Sequence, residues 1–352
     1  MLEWKEQQAD KTFVHARMLS GMSTAELGND ASWGFLFFHA ISCDVILFLP
    51  SMELEREQLG LLVHVVNIVV NAVVVLAVTR TPYLQEPAHT LIANLAVADV
   101  GLGVLGVLSP ATFVVDRPPM VVCVGHFAVV TCCAFGSVTM LIAINVDRYV
   151  SVSRPLRYHQ VMTPRVVVVM IALSWSVAVV NGVGSFVGNS WSPDEPCLYD
   201  VSSGKATLLL DTVFIAICGV VIVVIYAYMI LVARRHRRCI QPLPPPTTSN
   251  GSSQPTELPE EIRFFSDALV RNLKLAKTFS IVVGAFFVCW APYFAVMLLS
   301  VFEVRREPLG MLRGVGTVMA CCNSSVNFFV YAGQSQTFRT AFRAVLPSRG
   351  GN

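Results

Sequence analysis

The stretch VVCVGHFAVVTCCAFGSVTMLIAINVDRYVSV runs from Val121 to Val152, and its first charged residue is Asp147. An apolar run of this length is more than the roughly 20 residues that a helix needs to cross a bilayer. Working outward, six further runs of the same kind cover 58–79, 88–114, 166–187, 206–233, 273–302 and 308–332. Composition agrees: 54% of the 352 residues are hydrophobic and only 14% are charged. A soluble domain is nearer a quarter charged, and a chain this apolar would lack the polar surface to cover its core in water. In lipid every backbone polar group has to be satisfied within the span, which helices do by themselves. The fold class expected is an all-α membrane protein, a bundle of seven transmembrane helices. Several runs exceed the minimum length, so tilt or extension beyond the bilayer is expected.

Orientation follows from the positive charges. Of the 25 Lys and Arg residues, 16 fall on one side: Arg80, Arg148, Arg154, Arg157, Arg165, eight between Arg234 and Lys277, and Arg339, Arg343 and Arg349. That side is read as cytoplasmic, which places the N-terminus outside. Residues 1–57 form an extracellular tail, 58–333 the seven-helix domain, and 334–352 a short amphipathic helix and cytoplasmic tail. The 236–268 loop holds QPLPPPTTSNGSSQPTELPEE, a composition that cannot bury a core and reads as a flexible segment. The stretch WGFLFFHAISCDVILFLP at 33–50 is apolar but marginally short and contains His39 and Asp44. It reads as an extracellular or interfacial segment, with an eighth span as the alternative. The formal net charge of +2 argues neither for nor against nucleic acid; for a membrane bundle no such partner is expected.

The ten cysteines contain no CxxC pair, so no zinc pattern is present. Cys132, Cys133, Cys218, Cys289, Cys321 and Cys322 sit inside apolar runs, as small membrane-core residues do. Cys123 and Cys197 fall where apolar runs meet loops, and can be joined only if both lie on the oxidising side.

Polar groups inside lipid are costly, so each is a functional candidate. Asn71 lies in the first run, Asp99 in the second, Ser137 in the third, and Asn323, Ser324 and Asn327 in the seventh. A lone mid-membrane carboxylate needs a cation, a proton or several donors. Spacing leaves two readings open: oxygen ligands for a small cation, or a neutral hydrogen-bonded packing cluster. Asp147, Arg148 and Tyr149 close the third run, and by physics alone are as readily a solvated helix end.

The ordered set of motifs resembles the rhodopsin-like (class A) G-protein-coupled receptors over about residues 58–346. Asn71, LxxAD ending at Asp99, Cys123, Asp147-Arg148-Tyr149, Trp175, Tyr226, Cys289-Trp290-Ala291-Pro292, and Asn327 with Tyr331 match one helix after another. Residues Phe338 to Leu346 look like the family's eighth helix lying on the membrane. The resemblance implies a receptor rather than an enzyme, in the plasma membrane, with an extracellular ligand and a heterotrimeric G protein as partners. It implies a Cys123–Cys197 disulfide and a sodium pocket at Asp99, Ser137, Asn323 and Asn327, with no other cofactor. It implies that Arg148 engages Tyr226, Tyr331 and the G protein on activation, that Trp290 lies beneath the ligand, and that Pro292 kinks the sixth helix. Three positions depart from the pattern. Phe328 replaces the proline of NPxxY, Cys218 replaces a fifth-helix proline, and Asn272 replaces an acid that often restrains the third-helix arginine. A loosened inactive state is expected from the last. No cysteine follows Tyr331 to carry a palmitoyl anchor.

For the ligand, Val130 stands where amine receptors carry aspartate and Cys321 where opsins carry lysine. Parts of the second, sixth and seventh runs resemble adenosine and melanocortin receptors, but Met297 replaces the purine-binding asparagine. Val130, Thr131, Asp211, Tyr293 and Phe294 are the pocket candidates. Asp211 could pair with a cationic group or only touch the second loop. His64 and His126 read as polar packing groups. The competing class is a membrane transporter with an ion site at Asp99, but the chain shows neither repeat symmetry nor matched broken helices.

Overall fold

The computed structural model describes residues 53–84, 86–112, 118–240, 283–302 and 307–345. Eight helices matter for function: α1 (Glu53–Arg80), α2 (Pro87–Thr112), α3 (Met120–Ser153), α4 (Pro164–Val187), α5 (Lys205–Ile240), α6 (Val283–Val301), α7 (Glu307–Gln334) and α8 (Gln336–Val345). The first seven are long and apolar enough to cross a membrane. The 33–50 segment, Asn272 and most of the 236–268 loop lie outside the described residues.

Local chemistry sets the helix ends. The α3 helix stops at Ser153, and Arg154 leaves helical geometry because Pro155 follows. A 3-10 turn (Pro155–Arg157) and a helical turn (Tyr158–Val161) lead to α4. There the Thr163 hydroxyl accepts from Val166 N–H at 3.4 Å and Pro164 occupies the first helical position, two start signals in succession. The α5 helix runs past the apolar stretch through Arg234–Arg238, because helical hydrogen bonding continues where hydropathy ends.

The α3 helix is the hub, packing against α2, α4 and α5. Half of its most apolar window is buried, against 22% for α4, which turns most of its surface to lipid. Small residues bring backbones together where α3 meets α4. A methyl group added at Gly182 would lie 2.8 Å from the Ala128 carbonyl oxygen and 2.9 Å from Cys132 Cβ. A core of Leu91, Leu95, Met140, Ile144 and Ile222 continues to Val283 and Phe286 on α6, with Cys218 buried among them. The amphipathic α8 buries Phe338, Ala341 and Phe342 against α1 and α7. Phe338 stacks on Tyr331 at 5.3 Å between ring centroids, and Phe342 on Phe328 at 4.8 Å. The phenylalanine in place of the NPxxY proline thus serves as a landing ring for α8.

Candidate functional site

A cavity of about 360 Å³ opens among α1, α2, α3, α5, α6 and α7 at the Cys123 end of the bundle. Phe135, Phe286 and Trp290 line it deep in the bundle, and Val130, Thr131, Tyr293 and Met297 form part of its wall. Trp290 Nε1 is buried there with no hydrogen-bond partner among the described residues. Of the pocket candidates, Val130, Thr131 and Tyr293 are on the wall, whereas Asp211 and Phe294 are not. The expectation for Asp211 is corrected by its surroundings. Its carboxylate accepts a short hydrogen bond from the Tyr199 hydroxyl and is buried between α5 and the α4–α5 loop. Burial, reinforced by the neighbouring Asp211 charge, pushes the Tyr199 phenol well above its ordinary pKa, so it stays a donor. His64 and His126 also line the cavity.

The α4–α5 loop roofs this cavity. The Cys123–Cys197 disulfide fixes it to the start of α3. Ser190 N–H donates to Ser202 O at 2.8 Å and Gly204 N–H to Gly188 O at 3.0 Å, so the loop folds back on itself. Gly204 is required there, since a Cβ would lie 2.5 Å from the Gly188 carbonyl oxygen. The helical turn Tyr199–Ser202 then presents Asp200 to α7. Arg313 grips it with two hydrogen bonds, Nε to Oδ1 at 2.8 Å and Nη2 to Oδ2 at 2.6 Å, and Ser300 Oγ of α6 adds a third at 3.0 Å. This clasp was not among the sequence expectations.

Deeper in the membrane, a buried polar knot joins four helices. Asp99 Oδ1 accepts from Ser137 Oγ at 3.2 Å and Ser324 Oγ at 2.8 Å, and Oδ2 accepts from Asn327 Nδ2 at 3.1 Å. Asn67 Nδ2 donates to the Asp99 backbone oxygen at 2.7 Å. Asn71 Nδ2 reaches Asn67 Oδ1 at 2.7 Å and Ser324 O at 3.0 Å, tying α1 to α7. Asn323 is buried nearby but is not among the donors to Asp99; Ser324 takes that place. Ser324 and Asn327 are three apart and therefore share a helix face. The same spacing argument makes Asn67 the neighbour of Asn71.

At the far end of α3, Arg148 Nη2 pairs with Asp147 Oδ2 at 2.5 Å, both side chains nearly inaccessible. Tyr158 donates to Asp147 Oδ1 at 2.7 Å. Burial first, then the Asp147 charge, raises the Tyr158 phenol above its ordinary pKa and keeps the proton in place. Asp147 and Arg148 are therefore a buried pair, not a solvated helix end, while Tyr149 is partly exposed. Tyr331 belongs to the hydrophobic core, and the partly buried Tyr226 packs against it. Pro292 lies within α6, and α7 crosses just beside it: a Cβ on Gly316 would lie 2.8 Å from Tyr293 N.

A membrane bundle of seven helices, with a roofed cavity at one end and a buried acid–arginine pair at the other, has the build of a transmembrane receptor. Residues 70–331 match the family model for the 7 transmembrane receptor (rhodopsin family), and the chain belongs to that family. It is a multi-pass membrane receptor, not an enzyme. Similar curated proteins include cannabinoid receptor 1 of Xenopus laevis, 27% identical with 88% of this chain and 67% of that protein aligned. The alpha-1D adrenergic receptor of Mus musculus is 31% identical, covering 78% of this chain and 54% of that protein. The alpha-1A adrenergic receptor of Mus musculus is 29% identical, covering 78% and 64%. The chain thus spans between about half and two thirds of the length of these relatives.

Proposed function

We propose that the chain carries a signal from an extracellular ligand in the cavity to a heterotrimeric G protein, by outward movement of α6 about Pro292. The observation that carries this reading is the Asp147–Arg148 pair, buried at the opposite end of α3 from the cavity. An arginine held there by its adjacent acid and released toward Tyr226 and Tyr331 is a two-state element that both ends of the bundle can bias. An extracellular N-terminus and a cytoplasmic Arg148 end, in the plasma membrane, complete the proposal; the excess of Lys and Arg on the Arg148 side supports that orientation. The test is nucleotide exchange by a panel of purified heterotrimeric G proteins with the receptor in nanodiscs. Faster exchange by at least one of them is expected. No acceleration by any, with correctly folded receptor, would overturn the reading.

The knot at Asp99 fits a sodium ion by its donor set: a carboxylate, the hydroxyls of Ser137 and Ser324, and the amide oxygens of Asn327 and Asn323 are all oxygen ligands. When bound, sodium supplies the positive charge that a buried carboxylate otherwise lacks, and steadies the inactive arrangement of α2, α3 and α7. Asp99→Asn should abolish the sodium dependence of basal nucleotide exchange. A wild-type protein indifferent to sodium over a wide concentration range would make the knot structural only.

A further inference from the structure

We propose that the cavity takes a ligand with an anionic head, a carboxylate in class, seated on Arg313, and an apolar body among Phe127, Phe286 and Trp290. The inference deepens the reading above, because it takes the cavity as the ligand site. Apart from phenols and thiol, the ionisable groups on the cavity wall are Asp200, Arg313, His64 and His126. Asp200 and Arg313 cancel each other. The two imidazoles are neutral or cationic and never anionic. An ammonium would therefore find no uncommitted negative charge. Asp200, the one acid on the wall among the described residues, already accepts three hydrogen bonds. An ammonium would have to share that carboxylate with a guanidinium that already neutralises it.

The donor side is different. A guanidinium carries five N–H donors in a planar fork, and Asp200 engages only Nε and Nη2. The rest of the fork remains for a second acceptor without loss of the first. At the floor, the Trp290 indole N–H is another donor with no partner among the described residues. The cavity's spare hydrogen-bonding capacity near its charged centre is thus donating, which a carboxylate uses best through a charge-assisted bond to arginine. The cavity volume lies within the usual range for small-molecule sites.

The test measures binding alone, so that a receptor that binds without signalling counts against the G-protein reading and not against this one. Full-length receptor in nanodiscs is titrated with three probes that share a ten-carbon chain: decanoate, decanol and decylamine. Decanoate should bind about tenfold more tightly than decylamine, the scale of one charge-assisted contact. Arg313→Gln should erase that preference, and Arg313→Lys should keep part of it. Asp200→Asn, which removes the competing anion, should tighten decanoate binding about threefold or more. If the variants fold poorly, the wild-type comparison still decides. Equal or tighter binding of decylamine, or a decanoate preference that survives Arg313→Gln, would overturn the proposal.

Discussion

Arg148→Ala is expected to remove ligand-independent signalling while the protein still reaches the cell surface. In the structure Arg148 lies against Asp147 at 2.5 Å, and Asp147 also accepts from Tyr158. Alanine leaves Asp147 with the Tyr158 hydrogen bond but without its cation. Removing one partner of a buried pair destabilises by about 3–5 kcal/mol, so surface expression must be matched before signalling is compared. The gain of signal, not its loss, depends on how far apart the two states lie. A gap near 1.4 kcal/mol leaves about a tenth of the receptors active without ligand. The resemblance implies a looser inactive state, because Asn272 stands where relatives often carry an acid, so measurable basal signalling that scales with expression is expected of the wild type. Asn272→Glu should lower it. Basal signalling that persists in Arg148→Ala at equal surface density would sink the role assigned to Arg148. A silent wild type would sink only the argument from Asn272.

The second large effect belongs to the disulfide. Cys123 and Cys197 are 74 residues apart in sequence, and closing a loop of that size constrains the unfolded chain by about 4 kcal/mol in the chain-entropy model. That is a large fraction of the 5–15 kcal/mol typical of whole domains. Cys197→Ser should therefore lower the melting temperature of purified receptor sharply and cut its surface expression. The local consequence is as large. Cys197 sits two residues before Tyr199 and three before Asp200, which tie the roof to α5 and to α7. A Cys197→Ser protein with unchanged melting temperature would show that these ties hold the roof by themselves.

The spans were legible because a helix in lipid must satisfy its own backbone and expose apolar side chains, and both conditions leave long runs in the sequence. The expected second run, 88–114, compares with Pro87–Thr112, and the fourth, 166–187, with Pro164–Val187. The fifth, 206–233, compares with the apolar span Lys205–Val232, beyond which the helix itself continues to Ile240 because hydropathy falls at Arg234 while helix formation does not. The expected sodium-pocket residues Asp99, Ser137 and Asn327 lie together in the polar knot as hydrogen-bond partners. Asn323 and Ser324 were both polar candidates, and only the helix rotation shows that Ser324 is the one donating to Asp99, since two adjacent residues on one turn cannot be separated by spacing. The Asp200–Arg313 clasp was beyond reach. Its partners are 113 residues apart, and the sequence offers Asp194, Glu195 and Asp200 against Arg305, Arg306 and Arg313 with nothing to choose the pair. Asp211 was left open between a ligand and the second loop because an isolated acid in an apolar run signals a partner without saying whether that partner is a ligand or, as here, a tyrosine twelve residues upstream.

The ring stacks beneath α8 bear on how the inner end of the bundle is maintained in a living cell. Phe328–Phe342 and Tyr331–Phe338 hold this helix by contacts encoded in the chain itself. Residues 332–352 contain no cysteine to which a thioester-linked fatty acid could be attached and removed. Within that segment, the hold on α8 rests on aromatic contacts inherited with the sequence rather than on an acyl group added afterwards.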